Sequence, residues 1–220
     1  MSAKKKEKEL ASRLLVWWRK HKRNYPWRRE KNPYKVLMAE LMLQRTKADQ
    51  VMTVYPSFIK RFPTPGALTT AKPKDVENFF RGLGLIWRAK RVRELGNMLM
   101  TEFNSRVPKT REGLLSLPGV GEYAADAVLA SVYSKNVAAV DSNVCRVVGR
   151  LFGMEARGEA RRDPKFREVA QEMVPKGKAK EFNWAMIDLS ALICAPRNPK
   201  CDICPLSKFC EFNLTFHRSE

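Results

Sequence analysis

Four cysteines near the C-terminus constrain this chain more than any other feature of its sequence. They follow the spacing Cys194-x6-Cys201-x2-Cys204-x5-Cys210, in a stretch interrupted by prolines. Thiols in one short loop can surround a single inorganic centre, and thiolates are the ligands of zinc and of iron–sulfur clusters. Structural zinc sites usually combine two tight Cys-x2–4-Cys pairs, and only one such pair is present here. The spacing therefore favours a [4Fe–4S] cluster over zinc, and over four cysteines that bind nothing.

Outside that loop, the pattern of apolar residues predicts helix nearly throughout. Apolar residues recur at three- and four-residue steps, and alternating runs rich in Val, Ile and Thr are scarce. A first amphipathic helix is expected to end near Tyr25-Pro26-Trp27, and Pro33 opens a second helix that is apolar on almost every side. Further helices are expected near residues 51–61, 74–80, 87–103, 111–116, 122–133, 143–152, 164–173 and 180–193. The sequence thus predicts an all-α protein, with Cys145 in the core on an apolar helix face.

The chain is strongly basic. It contains 42 Lys and Arg against 23 Asp and Glu, a formal net charge of +19. Such a surplus indicates a surface for phosphate polyanions, above all nucleic acid, with an anionic membrane surface as the alternative. No apolar stretch approaches the ~20 residues of a membrane span, and the charged start lacks the apolar core of a secretory signal. We expect an intracellular protein with reduced cysteines, in which Lys4–Lys6 form a solvated tail or an arm that touches phosphate.

A second motif, Leu117-Pro118-Gly119-Val120-Gly121, lies between two predicted helices. Two glycines separated by one residue allow a tight turn with outward-facing backbone N–H groups, followed at once by a positive helix N-terminus. Such a hairpin can hold a DNA phosphate without any side chain. An ordinary turn between helices is the alternative, and the net charge favours the phosphate-binding interpretation. Gly119, Val120 and Gly121 are therefore candidate DNA-binding residues.

Two carboxylates are candidate catalytic groups. Asp141 precedes residues with helical apolar spacing and lies where an N-cap belongs. It is either a cap alone, or a carboxylate that stabilises an oxocarbenium ion or orients a water. Glu40 is the one acidic residue in the second, buried helix. It is either exposed at a helix edge, or desolvated with a raised pKa that suits a proton donor.

In this order, these features resemble the helix–hairpin–helix DNA glycosylase superfamily. The similarity is to its iron–sulfur branch, which includes endonuclease III and the adenine mismatch glycosylases. The matching residues extend over nearly the whole chain. They are Tyr25-Pro26-Trp27, Pro33–Val36, Glu40–Thr46, Gly82-Leu83-Gly84, the Leu117–Gly121 hairpin, Asp141 and the Cys194–Cys210 loop.

The resemblance implies two helical domains. One is a six-helix barrel that contains the helix–hairpin–helix, expected at residues 28–138. The other is formed by residues 1–27 and 139–220 and carries the cluster loop 194–210.

The resemblance also implies double-stranded DNA as the partner, with one mismatched nucleotide flipped out, because the glycosidic bond is not reachable inside the stack. Asp141 matches the catalytic aspartate of the family, Gln44 a residue that enters the duplex, and Leu85 the wedge that props it open. Arg197 and Lys200 are placed to touch backbone phosphates, with solvated charge as their alternative role. We expect a monomer in the cytoplasm of a prokaryote, associated with the nucleoid and not with a membrane.

Tyr123 distinguishes between branches of this superfamily. Members that also cleave the strand have a lysine there, whose amine attacks C1′, and tyrosine has no amine. Adenine mismatch glycosylases usually have serine, whereas archaeal thymine mismatch glycosylases have tyrosine. The stretch Phe182–Leu189 and the short segment after Cys210 also resemble the thymine branch, since adenine glycosylases continue into a domain that recognises 8-oxoguanine. The resemblance therefore implies a monofunctional glycosylase, in which Asp141 assists a water.

The resulting hypothesis is an enzyme that removes thymine or uracil mispaired with guanine and leaves an abasic site. Glu40 does not separate the branches, because adenine glycosylases use it to protonate the purine and thymine members also have it. In a pyrimidine pocket Glu40 would position the base or a water, and Tyr123 would form a wall of the pocket. The alternatives are an adenine glycosylase that lacks its recognition domain, an endonuclease III-like enzyme for oxidised pyrimidines, and a non-catalytic DNA-binding module.

Overall fold

The computed structural model describes residues 3–156 and 159–216, which form helices joined by loops and turns, without a β-strand in those ranges. The α-helices in them are α1 (Ala3–His21), α2 (Pro33–Leu43), α3 (Ala48–Arg61), α4 (Pro65–Thr69), α5 (Pro73–Arg81), α6 (Ile86–Thr101), α7 (Arg111–Ser116), α8 (Glu122–Val132), α9 (Ser142–Phe152), α10 (Pro164–Glu172), α11 (Ala179–Leu192) and α12 (Glu211–Phe216). The all-α prediction is confirmed. The short helices α4 and α12 were not predicted, whereas α7, which is as short as α12, was.

The chain divides into two compact units, Asn24–Tyr133 and Met1–Arg23 with Ser134–Glu220. We call these the central unit and the terminal unit. The divisions fall after residues 23 and 133, where the sequence suggested 27 and 138. Local contacts explain the shift, since Tyr25 donates a hydrogen bond to Asp49 in the central unit (2.8 Å). In the terminal unit, the backbone N–H groups of Ala138 and Ala139 donate to the side chains of Gln171 (2.9 Å) and Asn183 (3.1 Å).

Helix α2 is buried on almost every side in the central unit, as its apolar sequence predicts. Its start is fixed by Asn32, whose side chain accepts hydrogen bonds from the N–H groups of Tyr34 and Lys35. Pro33 suits the first helical position, because its missing N–H would have no partner there. Phe58, on α3, is fully buried and packs edge-on against other phenylalanine rings. Phe62, at the end of α3, accepts a hydrogen bond from the hydroxyl of Tyr34 through its carbonyl (3.2 Å), which ties this core to the start of α2.

In the terminal unit, α1 is held against α11 by one buried carboxylate. Asp188 is fully buried and accepts hydrogen bonds from the indole of Trp18 (2.9 Å) and from Nε of Arg23 (2.6 Å). Cys145, on α9, is 2% exposed, so its predicted place in the core is confirmed. Lys4–Lys6 do not form an unstructured tail, because α1 already begins at Ala3, and their contact with phosphate stays a prediction. Lys6 is half-buried and pairs with Glu211 of the same unit (3.3 Å), which favours helix over a solvated tail.

None of the helices in the described ranges combines the length and the apolar character that crossing a bilayer requires.

Candidate functional site

The predicted hairpin is a tight turn between α7 and α8. The N–H of Val120 donates to the carbonyl of Leu117 (3.1 Å), with Pro118 and Gly119 between them. Gly119 has a φ of +81°. Proline at the second position and glycine with positive φ at the third are the requirements of a type II turn. Leu117 and Val120 are buried, so the turn is anchored on both sides.

The two helices of the hairpin are joined by an ion pair. Nε of Arg111, on α7, lies 3.0 Å from Oδ1 of Asp126, which is fully buried on α8. A second contact joins Arg111 to Glu122, in the first turn of α8 (3.1 Å). Because a buried carboxylate is costly without a partner, this arginine fixes the geometry of the hairpin.

Gly121 is the N-cap of α8 and provides no capping side chain. The first-turn N–H groups of a helix have no partner inside the helix, so they need a cap, water or a ligand. No neighbour lies within 4 Å of the position that a Cβ on Gly121 would take. This helix start is therefore open to an external anion, which the positive end of the helix dipole also favours.

The end of α2 contacts this hairpin directly. The side-chain amide of Gln44 donates to the carbonyl of Gly119 (3.0 Å). Arg88, on α6, donates to the carbonyls of Leu41 (3.1 Å) and Gln44. The residue after Gln44, Arg45, has a φ of +59°, an uncommon conformation for a residue with a side chain. The end of α2, the hairpin and the start of α6 therefore meet at one place in the central unit. The first two contain predicted DNA-binding residues, and the third directly follows one, Leu85.

Leu85, the predicted wedge, lies between α5 and α6. Its N–H donates to the carbonyl of Phe80 (2.9 Å), and the N–H of Gly84 donates to that of Arg81 (2.9 Å). With Gly84 at a φ of +69°, this is the Schellman ending of α5. Leu85 is half-exposed and is also the N-cap of α6. The loop thus presents an apolar side chain from a rigid backbone.

Glu40 and Tyr123 also lie in the central unit. Glu40 is 6% exposed on α2, so the interpretation as an exposed helix edge is wrong, and the carboxylate is desolvated. The surrounding helix explains this, since its residues on both sides of Glu40 are buried as well. Tyr123 is half-buried in the first turn of α8, two residues after the glycine N-cap.

Asp141, in the terminal unit, is the N-cap of α9, so that prediction is confirmed. Its Oδ1 accepts hydrogen bonds from the backbone N–H groups of Asn143 and Val144 (both 2.9 Å). Its Oδ2 accepts one from the side-chain amide of Asn143 (2.8 Å). Three donors therefore hold a half-buried carboxylate in a single orientation, which suits a group that must direct a water or face a developing positive charge.

Asn143 is itself held by an arginine that sequence reasoning missed. Arg146 donates to Oδ1 of Asn143 (3.1 Å) and, through its other nitrogens, to the carbonyls of Cys194 (2.9 Å) and Ser190 (3.2 Å). Burial lowers the pKa of this guanidinium. Asn143 and Arg146 are three residues apart, so they are neighbours on one face of a helix. That spacing was the sequence signal that could have predicted their contact. A continuous set of hydrogen bonds thus leads from Asp141 to the start of the cysteine loop.

The four cysteines of the loop are all half-buried. Burial is the main cause that raises the pKa of the Cys204 thiol to about 11, and the negative charge of the other three sulfurs acts in the same direction. The four sulfurs are therefore within electrostatic range of one another, and they repel each other as thiolates. A positively charged iron centre removes that penalty, so the donor set fits the predicted cluster.

Hydrogen-bond donors around the sulfurs also fit such a centre. The backbone N–H of Leu206 bonds to Cys204, and the N–H groups of Phe212 and Asn213 bond to Cys210. Arg150, on α9, lies 3.4 Å from the sulfur of Cys194. Hydrogen bonds to the cysteine sulfurs are one of the means by which proteins tune iron–sulfur clusters.

Arg150 also ties the loop to α9. It donates to the carbonyls of Ala195 (2.7 Å) and Pro196 (3.0 Å). The predicted phosphate ligands Arg197 and Lys200 follow in the same loop, and both are exposed. Across residues 3–156 and 159–216, no three His, Cys, Asp or Glu side chains are gathered closely enough to hold one metal ion. The nature of the centre is given by the comparisons with known proteins.

Two family profiles match this chain. The profile of the HhH-GPD superfamily of base excision DNA repair proteins matches residues 38–176, and that of the iron–sulfur binding domain of endonuclease III matches residues 194–210. The second match confirms an iron–sulfur cluster as the cofactor, so the zinc alternative is wrong. That Cys194, Cys201, Cys204 and Cys210 are its four ligands stays a prediction, and all four lie within the matched range.

Individual relatives are similar over most of the chain. The thymine/uracil-DNA glycosylase of Methanothermobacter thermautotrophicus is 35% identical over 94% of this chain and 95% of its own length. The adenine DNA glycosylase of Mycobacterium tuberculosis is 38% identical over 88% of this chain, but over only 64% of its own length. The solved structure of a thermostable thymine-DNA glycosylase matches with a TM-score of 0.91 and 34% identity, over 96% of this chain and 98% of the other. The chain therefore belongs to the HhH-GPD superfamily of base excision DNA repair proteins.

Proposed function

We propose that this protein is a monofunctional DNA glycosylase that removes thymine or uracil mispaired with guanine. It hydrolyses the N-glycosidic bond and leaves an abasic site. The observation that carries the proposal is Tyr123, half-buried in the first turn of α8 directly behind the hairpin. A strand-cleaving enzyme needs an amine at this position to form a Schiff base with C1′, and a phenol cannot form one. The thymine/uracil-DNA glycosylase similar over nearly the whole chain supports the same assignment.

Asp141 acts on the sugar and on the attacking water. As the glycosidic bond breaks, positive charge develops at C1′, and a fixed carboxylate stabilises it without reorganising. The same carboxylate accepts a proton from the water that adds to C1′. The three N–H donors at Asp141 and the support of Asn143 by Arg146 hold the carboxylate in place for both tasks.

Glu40 and Tyr123 act on the base. Thymine and uracil leave as anions that hydrogen bonds stabilise, so Glu40 positions the base or a water rather than protonating a ring nitrogen. Tyr123 provides an aromatic face for the base and a hydroxyl for a hydrogen bond.

The hairpin and its surroundings bind double-stranded DNA with one base flipped out. The uncapped N–H groups behind Gly121 bind a phosphate, together with the turn at Gly119 and Val120. Leu85 enters the stack as the wedge. Arg197 and Lys200 add phosphate contacts from the cysteine loop. Gln44 lies close enough to the hairpin to reach the duplex when its bond to Gly119 is exchanged for one to DNA.

We propose that the protein is a monomer, located in the cytoplasm of a prokaryote and associated with the nucleoid.

The iron–sulfur cluster supplies a rigid cross-link between four thiolates, and its iron can exchange electrons. The chain's own residues use that rigidity. Arg146 and Arg150 extend from α9 onto carbonyls of the loop, and the same helix carries Asp141 at its N-cap. A loop fixed by its cysteines therefore fixes the helix that orients the catalytic carboxylate.

Single-turnover release of bases from end-labelled duplexes tests the proposed function. The set contains G·T, G·U, adenine opposite 8-oxoguanine, and an oxidised pyrimidine opposite adenine, each read with and without alkali. We expect cleavage at thymine and uracil only, and only after alkali. Cleavage without alkali, with an adduct trapped by borohydride, would overturn the mechanism because it requires an amine nucleophile.

One observation favours a second candidate function, an adenine glycosylase. The desolvated Glu40 suits a group that protonates a departing purine, and an adenine DNA glycosylase is 38% identical to this chain. Release of adenine opposite 8-oxoguanine by the native protein would support this candidate. Gain of adenine release in Tyr123→Ser would support it as well.

A further inference from the structure

A shallow cleft lies in the central unit between the end of α2, the start of α6 and the hairpin. The space that it encloses is only about 20 Å³, and its lining includes Gln44, Trp87, Arg91 and Gly119. Pockets for small molecules usually measure about 300–1,000 Å³ and enclose most of the ligand. This cleft is smaller than that, so it suits one part of a longer polymer better than a complete small molecule.

The most exposed aromatic side chain at the cleft is Trp87, in the first turn of α6. It is 53% exposed, and Ile86 beside it is 42% exposed. The guanidinium carbon of Arg88 lies 5.0 Å from the centroid of the Trp87 ring, and that of Arg91 lies 5.2 Å away. These cation–π contacts hold the indole in place while much of it faces solvent. An exposed tryptophan held rigidly by arginines is a typical platform for stacking.

Two arginines that line the cleft, Arg88 and Arg91, and Arg45, whose charge acts on Arg88, provide positive charge that the protein does not neutralise. In the described part of the chain, none of Arg45, Arg88 and Arg91 forms an ion pair with a carboxylate. Arg88 is only 5% exposed, and its Nε has no hydrogen-bond partner. Burial, and then the charges of Arg45 and Arg91, lower the pKa of Arg88. Mutual repulsion among three cations is relieved when an anion binds between them.

The exposed indole and the positive charge suit an occupant that combines a flat aromatic face with negative charge, and the small volume of the cleft favours one part of a longer polymer. A nucleotide of a DNA strand has these properties. When a glycosylase extrudes one base, its partner in the opposite strand loses its pairing partner. The extruded base needs an enclosing pocket, whereas the base left behind needs a surface on which to stack. Trp87 lies two residues after the proposed wedge, Leu85, and offers such a surface.

We propose that Trp87 stacks on the unpaired guanine left in the opposite strand, while Arg91 and Arg45 bind the phosphates that flank it. This inference rests on the proposed function, because it needs one extruded base. It assigns a role in recognising the partner strand to an aromatic residue and two arginines outside the predicted site.

Equilibrium binding to duplexes with a tetrahydrofuran abasic analogue tests the stacking. One duplex has guanine opposite the analogue, and the other has a second tetrahydrofuran, which leaves no base to stack. Alanine substitution of a stacking aromatic costs about 5- to 150-fold in affinity. We therefore expect Trp87→Ala to weaken binding by that factor for the first duplex only, and Trp87→Phe to retain most of the affinity. Met52→Ala is the control, because Met52 is also exposed (46%) and lies on α3 of the same unit.

The dependence of affinity on salt tests the arginines. Loss of one phosphate contact lowers the slope of log K against log salt by about 0.9. Arg91→Gln is expected to show that change, and Lys90→Gln is the matched control. Lys90 is the preceding residue of α6, but its side chain is 86% exposed and lies 4.0 Å from Glu94. If the slope of log K against log salt changes equally in Arg91→Gln and Lys90→Gln, the proposed contact of Arg91 with a phosphate is wrong.

The binding assay separates this inference from the proposed function, because no base is released in it. Equal losses on both duplexes in Trp87→Ala would mean a backbone contact, and would overturn the stacking. Unchanged affinity on both would overturn it as well. Trp87→Ala could weaken binding to the first duplex only, while the native protein releases neither thymine nor uracil. In that case the proposed substrate is wrong, and the stacking of Trp87 on the unpaired base is supported.

Discussion

Two helices of this protein, one in each unit, begin in opposite ways. Helix α8 begins at Gly121, which provides no side chain to accept from the first-turn N–H groups. Helix α9 begins at Asp141, whose carboxylate accepts from the N–H groups of Asn143 and Val144. Every helix start offers the same unpaired donors and the same positive dipole end. The N-cap side chain decides whether they bind an external anion or hold one of the protein's own carboxylates.

In the proposed function, the two starts have different roles. An open helix start can exchange water for a phosphate on each encounter with DNA, so it serves binding. A start that is occupied by its own carboxylate cannot serve binding in this way. It instead fixes the direction in which that carboxylate points, which is what the catalytic role proposed for Asp141 requires.

The largest effect is expected from Asp141→Asn, because it removes the charge at one helix start and keeps the cap. Asparagine caps helices about as well as aspartate, so the folded state should be retained. A missing general base costs about 10²–10⁴-fold in rate. We expect a loss of that size in single-turnover release from G·T and G·U duplexes, with DNA affinity changed by less than about threefold. Normal product yield would contradict the enzymatic role of Asp141.

The next largest effect is expected from Gly121→Asp, which gives α8 a carboxylate N-cap like the one that Asp141 provides for α9. The new carboxylate would occupy the first-turn N–H groups and repel the phosphate, so DNA affinity should fall about tenfold or more. The φ of −98° at Gly121 and the space around it allow the substitution without strain. Gly121→Ser is the control, since it caps the helix without charge. A similar loss in both variants would show that capping alone, and not the added charge, excludes the phosphate.

A smaller effect is expected when the support of Asp141 is removed at a distance. Arg146→Met breaks the bonds to Asn143 and to the carbonyls of Cys194 and Ser190. The carboxylate would then sample more orientations, and we expect single-turnover release about tenfold slower, with DNA affinity unchanged. Arg146→Lys should restore part of the rate, because lysine keeps a donor and the charge. If the iron–sulfur absorbance is lost together with the rate, Arg146 supports the loop rather than the carboxylate.

The sequence predicted those parts of the site that depend on local pattern. The N-cap at Asp141 follows from the helical spacing of the residues after it, and the cofactor from the spacing of four cysteines. The contact of Gln44 with Gly119 joins residues 75 positions apart, and that of Arg146 with Cys194 joins residues 48 apart. Such contacts depend on how helices pack, which no local period encodes. For the same reason, the sequence did not decide whether Glu40 is exposed or buried. The pattern of its own helix is consistent with a position at the edge and with a position in the core.

The smallest effect is expected at Gly119, and it shows that the two hairpin glycines are needed for different reasons. Gly121 has an ordinary negative φ and is needed because it leaves the helix start open. Gly119 has a φ of +81°, which a residue with a Cβ adopts at a cost of about 1–2 kcal/mol. Atoms near the new Cβ would be at least 3.7 Å away, so Gly119→Ala should lower the free energy of unfolding by that strain alone.

Gly66→Ala is the matched control for that measurement. Gly66 lies in α4 of the same unit, its φ is not positive, and a Cβ there would also have neighbours at 3.7 Å. Alanine is favoured over glycine in a helix, so this variant should be more stable by up to about 1 kcal/mol. Urea unfolding of both variants gives the comparison. Equal stability of Gly119→Ala and the native protein would mean that the turn adopts another conformation without cost, and that the hairpin does not depend on a fixed type II turn.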